Sequence, residues 1–305
     1  MSIRRPPATL FDAYLFLDWS ANSRPKSGKD SIWAADGWFA GDSLGDVVLH
    51  NPKTRLEAER WLHRRLELHR DAGRRALVGV DFPLGYPAGT LGRLFPAHGD
   101  SWRALWQHLA SAIRDGDRNE NNRFEVARAL NQAAGELWYW GCPRKATADG
   151  VASTKAGRGA PPEYRMVEQK LRAAGRRPFS VWQLLGSGAV GSQTLLGLPL
   201  CERLRARVDS VAVWPFETGL RCPARSGGAA VVICEIWPGV IDVSRDEHAV
   251  RDAAQMLSYV RAAASRDASG TLAQWFDPPG LDANERELAE AEGWILGFVP
   301  TLTWS

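Results

Sequence analysis

Apolar and polar positions along the first third of the chain alternate between strand-like and helix-like patterns. Short apolar runs bounded by turn residues predict buried strands at 13–18, 31–40, 45–50 and 74–87. Within the second run, Asp36-Gly37 is a dipeptide typical of a hairpin turn. Apolar residues recur at helical spacing over 54–73, with Thr54 placed to cap the start and Gly73 the end. The predicted order is therefore three strands, a helix and a fourth strand.

The remaining two thirds of the chain predict a helical block followed by a second set of strands. Helices are expected at 101–114, 120–138, 163–174, 246–265 and 282–292, and strands at 210–217 and 231–239. A segment rich in Gly, Ala, Ser and Lys predicts a flexible loop at about 143–163. We therefore expect an α/β core formed by 1–87 and 206–305, and a mainly helical insertion formed by 88–205.

Composition narrows the class of protein. The 305 residues are 45% hydrophobic and 24% charged, as in ordinary globular chains. The net charge of +3 requires no polyanionic partner, although 142–225 is basic and 226–305 is acidic. That asymmetry is explained either by a phosphate-binding face beside a metal-binding one or by solvated helix faces.

Cysteine spacing and the apolar runs indicate the compartment. The four cysteines include no CxxC pair, which excludes the usual zinc motifs and fits a reducing environment. Asp12 and Asp18 interrupt the apolar N-terminal stretch, and no run reaches the ~18 apolar residues of a membrane span. A cytoplasmic protein with no membrane contact is expected.

Acidic residues end or follow the predicted strands. Asp18 closes LFLD, Asp81 closes VGVD and Glu235 lies in VVICEI, while Asp252 lies on the predicted helix 246–265. A carboxylate on a buried strand is costly unless it is paired or binds a metal. If the strands are neighbours, these four acids converge at one sheet edge and form an oxygen-rich site suited to Mg²⁺ or Mn²⁺. Two such ions would support phosphodiester hydrolysis by water.

These motifs resemble a known family. LFLDWSA, VGVDFPLGYP, CEIWPG, RDAAQML and EGWILG are similar to motifs of the predicted RNase H-like nuclease family, domain of unknown function 429. The resemblance covers 13–87 and 231–297. It implies an RNase H-like mixed sheet flanked by helices, with Asp18, Asp81, Glu235 and Asp252 as catalytic metal ligands.

A narrower resemblance concerns the loop after Asp18. DWSANSRPKSGKDSIW, together with SVWQLLGSGAVGSQTLLGLP and VWPFET, is similar to a bacterial subgroup associated with molybdopterin-guanine dinucleotide biosynthesis. In this loop Ser20, Arg24 and Lys29 are candidate ligands for a substrate phosphate. The second segment also contains G-S-G-A-V-G at 186–191, which matches a dinucleotide fingerprint or a plain tight turn, and it precedes residues that favour phosphate binding at a helix start.

Two tryptophans lie next to the candidate acids. Strand alternation places Trp237 on the same face as Glu235, which makes its ring a candidate stacking platform for a base. The same alternation turns Trp19 away from Asp18 and into the core.

The sequence thus predicts a metal-dependent nuclease whose partner is nucleic acid or a nucleotide. Two alternatives stay open. One is a nucleotide-binding transferase or kinase on the related actin-like fold, for which the narrower resemblance implies a link to molybdopterin-guanine dinucleotide synthesis. The other is a non-catalytic binding module.

Overall fold

A mixed β-sheet crosses the centre of the molecule. The computed structural model describes residue 3 and residues 9–143, 150–155, 161–186, 188–241, 243 and 248–300. In that part of the chain the strands are β1 (Ala13–Asp18), β2 (Trp33–Ala40), β3 (Ser43–Leu44), β4 (Val48–His50), β5 (Ala76–Val80), β6 (Val211–Val213) and β7 (Val231–Glu235). Their order is β3-β2-β1-β5-β7-β6, and β4 also pairs with β2. The β2 pairings are antiparallel, whereas β1, β5, β7 and β6 run parallel.

Helices cover both faces of this sheet. They are α1 (Arg55–Asp71), α2 (Leu91–Leu94), α3 (Trp102–Ala112), α4 (Arg123–Ala134), α5 (Met166–Ala173), α6 (Gly191–Arg207), α7 (Arg251–Ala268), α8 (Ala273–Phe276) and α9 (Ala283–Glu292). The α/β class with a mixed, helix-flanked sheet is therefore confirmed.

Strand alternation divides the apolar side chains into two cores. Leu15 and Leu17 of β1 belong to a first core with helices α1, α2, α3, α4 and α6. Tyr14 and Phe16 belong to a second core with α5, α7, α8 and α9. Because most helices of 88–205 contribute to the first core, that segment packs directly on the sheet.

Helix α1 forms where the sequence predicts it, for local reasons. The Thr54 hydroxyl accepts a hydrogen bond from the Glu57 N–H at 3.2 Å, and Gly73 takes a left-handed φ of 65° after the last turn. Ala58, Leu62 and other apolar residues of one stripe are buried in the first core. The predicted helices at 101–114, 120–138, 163–174, 246–265 and 282–292 correspond to α3, α4, α5, α7 and α9.

The hairpin turn expected at Asp36-Gly37 is wrong. Both residues lie inside β2, where Asp36 pairs with Leu15 of β1. The buried Asp36 carboxylate instead accepts hydrogen bonds from Arg65 at 2.5 Å and from His69 at 3.0 Å, both on α1. A Cβ on Gly37 would lie 2.4 Å from Val260 Cγ1, so the glycine permits α7 to pack closely on the strand.

Two other boundaries differ from the prediction. The sequence predicts only the start of α6, whereas the helix runs from Gly191 to Arg207 and includes Pro199. Leu198, Pro199 and Leu200 are all buried, and this packing offsets the roughly 3 kcal/mol cost of proline inside a helix. Strand β6 spans only three residues of the predicted 210–217.

The predicted flexible loop at 143–163 lies partly outside the described residues, namely 144–149 and 156–160. Within 150–155, Ala152 forms a bridge with Trp140. In the part of the chain that the structure describes, no helix combines the length and apolar character needed to cross a membrane.

Candidate functional site

Asp18 and Asp81 lie side by side at the carboxyl ends of two neighbouring parallel strands. Leu17 of β1 is in register with Val80 of β5, and the Asp81 N–H donates to the Leu17 carbonyl at 2.9 Å. Phe16 lies two residues before Asp18, and Gly79 lies two residues before Asp81. Both face the side of the sheet that carries the second core. Alternation therefore directs both carboxylates toward the side covered by α7.

Helix α7 brings Asp252 to the same edge. The helix packs on β1 and β2, and Asp252 lies in its first turn. One oxygen of Asp252 accepts a 2.8 Å hydrogen bond from the N–H of Asp30, which sits in the loop after β1 with a positive φ of 53°. Asp30 thus joins the three predicted aspartates, although no sequence pattern distinguished it.

Mutual repulsion marks this group of aspartates. Burial raises the pKa of Asp18 well above its ordinary value, and the charges of Asp81, Asp252 and Asp30 raise it further. Burial also raises the pKa of Asp81 to about 8, with added contributions from the charges of Glu235 and Asp252. These effects act in one direction, because burial disfavours the charged form of a carboxyl group and neighbouring negative charges disfavour it further.

Glu235 lies near enough for its charge to raise the pKa of Asp81, but its carboxylate already has hydrogen-bonding partners. It is in register with Val80, one position before Asp81, so alternation turns its side chain to the other face. There its two oxygens accept hydrogen bonds from the fully buried Arg165 at 2.8 and 2.6 Å, and one also accepts the Leu84 N–H at 3.0 Å. A carboxylate neutralised in this way is a structural ion pair.

Arg165 connects the insertion to the sheet. Burial by itself lowers the pKa of Arg165, but the charges of Glu168 and Glu235 reverse the effect and raise it overall. Its guanidinium also donates to the Glu292 carbonyl at 3.3 Å, and the carboxylate of Glu292 accepts the Met166 N–H at 2.5 Å. The segment before α5 is therefore fixed to β7 and α9.

The pair Asp18 and Asp81 suits a hard divalent cation better than the predicted set of four acids does. Among the described residues, no three His, Cys, Asp or Glu side chains stand close enough together to enclose a metal ion. Mg²⁺ commonly needs only one or two carboxylates, and it keeps water or substrate phosphate as its other ligands. The neighbouring, mutually repelling carboxylates of Asp18 and Asp81 meet that requirement.

A cleft of about 520 Å³ opens beside these residues. Its lining includes an acidic set, namely Asp18, Asp30 and Asp252, which we call the acidic wall. The set that we call the positive wall comes from the insertion: Arg123 at the start of α4, Ser192 and Gln193 at the start of α6, and parts of the preceding glycine-containing segment. Negative and positive groups thus line the same cleft.

The loop after β1 is positioned by a buried arginine. Arg55 donates to the carbonyls of Ser20 at 3.0 Å and Asn22 at 2.8 Å, and forms a two-armed ion pair with Asp115 at 2.5 and 2.6 Å. Ser20 lies on the cleft wall, where its hydroxyl accepts a hydrogen bond from the Asn22 amide at 2.7 Å. This candidate residue is therefore held at the site.

The other candidate substrate ligands are placed elsewhere. Arg24 and Lys29 are exposed on the same loop, and neither lines the cleft. Trp237 also lies outside the cleft lining; its ring packs against Gly239, while its backbone bonds the Tyr259 hydroxyl. Trp19 is 2% exposed in the first core, which confirms its predicted placement.

The glycines of G-S-G-A-V-G have conformational roles. Gly186 and Gly188 have positive φ values of 129° and 78°. A Cβ on Gly191 would lie 2.5 Å from the Val181 carbonyl oxygen. The segment follows an isolated bridge at Gln183 rather than a strand of the sheet, so the strand–turn–helix context of a dinucleotide fingerprint is not present here.

Arg123 and Arg165 are functional candidates that the sequence did not reveal. Both belong to helical segments of an arginine-rich chain, and nothing in their spacing separates them from exposed arginines. Only their burial, 7% and 0% exposed, distinguishes them.

Comparison of the chain with models of protein families, with curated proteins and with solved structures gave no match.

Proposed function

We propose that this protein is a metal-dependent phosphodiesterase that acts on nucleic acid. The observation that carries the proposal is the meeting of Asp18 and Asp81 at adjacent strand ends, with Asp252 brought to the same edge by α7. Three buried or half-buried carboxylates that repel one another, two of them in the cleft lining, are a costly arrangement, and a bound cation would offset that cost.

The topology supports an RNase H-like fold for this site. The first strand and the strand after α1 each end at an aspartate, and a late helix carries a third, as the family resemblance implies. Strands β3 and β4 both pair with β2, so together they take the place of the expected third strand.

Asp18 and Asp81 would hold Mg²⁺ or Mn²⁺. Such an ion, when bound, supplies charge stabilisation at a phosphoryl oxygen and lowers the pKa of a coordinated water. Two ions, the number expected from the sequence, require Asp252 and Asp30 as further ligands, and the stoichiometry of Mn²⁺ binding tests this. The chain itself orients the substrate through Ser20 and the positive wall of the cleft.

Single substitutions test the proposal by two measurements, cleavage of nucleic acid and binding of Mn²⁺. Asp18→Asn and Asp81→Asn are expected to weaken Mn²⁺ binding by calorimetry and to reduce cleavage of DNA or RNA by about 10²–10³-fold. Asp46→Asn, an exposed carboxylate, is the matched control. Wild-type cleavage and Mn²⁺ affinity in Asp81→Asn would contradict the proposal.

One observation favours a second candidate, a nucleotide-binding transferase or kinase. The glycine-containing segment and the start of α6 share the cleft with Asp18, and such segments cradle nucleotide phosphates. A large rise in melting temperature with GTP or ATP and Mg²⁺, without cleavage of any nucleic acid, would favour this candidate.

A further inference from the structure

Arg123 is a buried cation with no hydrogen bond or direct ion pair to a carboxylate among the described residues. Its side chain is 7% exposed, and its hydrogen bonds go to neutral acceptors: Ser192 at 2.9 Å, Ser23 at 3.0 Å and Asn121 at 2.8 Å. Burial lowers the pKa of Arg123 to about 10; the charge of Arg55 contributes in the same direction, and the charge of Asp115 partly opposes them. The guanidinium remains protonated at neutral pH and is held at an energetic cost.

The hydrogen bonds of Arg123 leave one end of the guanidinium unused. Nε donates to Ser192, and both N–H groups of Nη1 are taken by Ser23 and Asn121. Nη2 has no acceptor among the described residues, and Arg123 lines the cleft. Ser23 accepts from Arg123, so its own hydroxyl proton is available to a ligand.

Two further features of the same wall favour an anion. Helix α6 starts there without an acidic residue in its first turn, and Val190 at its N-cap offers no side-chain hydrogen bond to the first N–H groups. The Gly191 N–H already donates to the Gln183 carbonyl at 2.9 Å, and the following N–H groups of Ser192 and Gln193 carry the partial positive charge of the helix start. Trp19, which is 2% exposed on the cleft wall, has an indole N–H without an acceptor in the described part of the chain.

We propose that Arg123, Ser23 and the first turn of α6 form a binding site for a phosphate group of the substrate, in the same cleft as the aspartates. This inference rests on the proposed function, because it assigns the substrate as a phosphate-bearing molecule. It adds that the chain binds one phosphate through its own cation, independently of a metal ion. The free Nη2 and the Ser23 hydroxyl supply the donors that phosphate oxygens accept.

Binding of inorganic phosphate, measured by calorimetry in EDTA, tests the site without metal. Arg123→Gln is expected to weaken phosphate binding by about tenfold to hundredfold, because charge-assisted hydrogen bonds are lost. Arg118→Gln, an exposed arginine near the same helix, is the control and should bind as the wild type does. Equal affinity in the wild type and Arg123→Gln would overturn the inference.

A second variant avoids disturbing the buried guanidinium. Leu185 is 46% exposed on the cleft, and Leu137 is 40% exposed outside its lining. Leu185→Glu places a negative charge in the cleft and is expected to weaken phosphate binding, whereas Leu137→Glu should not. If neither substitution changes phosphate affinity, phosphate binds elsewhere and the inference fails.

The two proposals fail in different ways. If the wild type shows no Mn²⁺-dependent cleavage but binds phosphate in an Arg123-dependent way, the nuclease proposal is refuted and the proposed phosphate site is supported. If Arg123→Gln cleaves normally and its phosphate affinity is unchanged, the nuclease proposal is supported and the proposed phosphate site is refuted. Two separate titrations in EDTA, one with a short DNA that carries a terminal phosphate and one with GTP, then identify the source of the phosphate. Arg123-dependent binding of either ligand supports the site, and binding of neither opposes it.

Discussion

Replacing Asp81 with asparagine is expected to stabilise the metal-free protein, because the carboxylate is held in a repulsive environment. Burial raises the pKa of Asp81 to about 8, with contributions from Glu235 and Asp252, whereas an aspartate in an unfolded chain titrates near ~3.9. Between these two pKa values the native state holds a proton that the unfolded state has released. The free energy of unfolding therefore falls as the pH rises through this interval and levels off above the native pKa.

The size of the effect follows from the same linkage. A full difference of one proton changes the free energy of unfolding by about 1.4 kcal/mol for each pH unit. Because Asp81 is only half-buried, solvent screening reduces this value, and we expect a loss of about 1–2 kcal/mol between roughly pH 6 and pH 8. Asp81→Asn removes this loss of stability. It also relieves the repulsion on Asp18, and both effects stabilise the metal-free protein.

Urea denaturation in EDTA at both pH values measures the difference. The wild type should lose stability toward the higher pH, Asp81→Asn should lose less, and Asp46→Asn should follow the wild type. Magnesium at about 100 times its Kd should add about 2.7 kcal/mol to the wild type at the higher pH and less to Asp81→Asn. Identical pH dependence in the wild type and Asp81→Asn would refute the repulsive cluster.

Two further predictions concern packing. Arg165→Met is expected to lower the free energy of unfolding by about 3–5 kcal/mol, because Glu235 is left buried without its cation. Urea denaturation measures this change, and unchanged stability would show that the ion pair is dispensable. Gly37→Ala should cost about 1–3 kcal/mol, since its new Cβ meets Val260 at 2.4 Å. Gly45→Ala, whose Cβ would have no neighbour nearer than 3.7 Å, is the control, and thermal unfolding should separate the two variants.

Local patterns predicted the elements that local physics determines. The cap at Thr54, the apolar stripe of α1 and the buried runs ending at Asp18 and Asp81 depend on neighbours a few residues away. Their side-chain faces also follow from alternation within each strand. These features were therefore readable without knowledge of the tertiary fold.

Long-range pairing decided the features that the sequence did not predict. Asp36 reads as a turn residue, yet it is buried because α1 supplies Arg65 and His69 as partners. Glu235 reads as a third strand acid, but the register of β7 against β5 moves it one position from Asp81. Neither the register nor the partners leave a pattern in the local sequence.

The cleft depends on the insertion as much as on the sheet. Asp18 and Asp252 come from the core segments, whereas Arg123, Ser192 and the glycines come from 88–205. Arg55 joins the two parts: it binds the loop carbonyls at Ser20 and Asn22 on one side and Asp115 of the insertion on the other. Because α3 and α6 also share the first core with β1, the packing of the insertion on the sheet brings the acidic and positive walls into one cleft. Under the proposed function, selection of a phosphate-bearing substrate would therefore depend on this packing as well as on the aspartates.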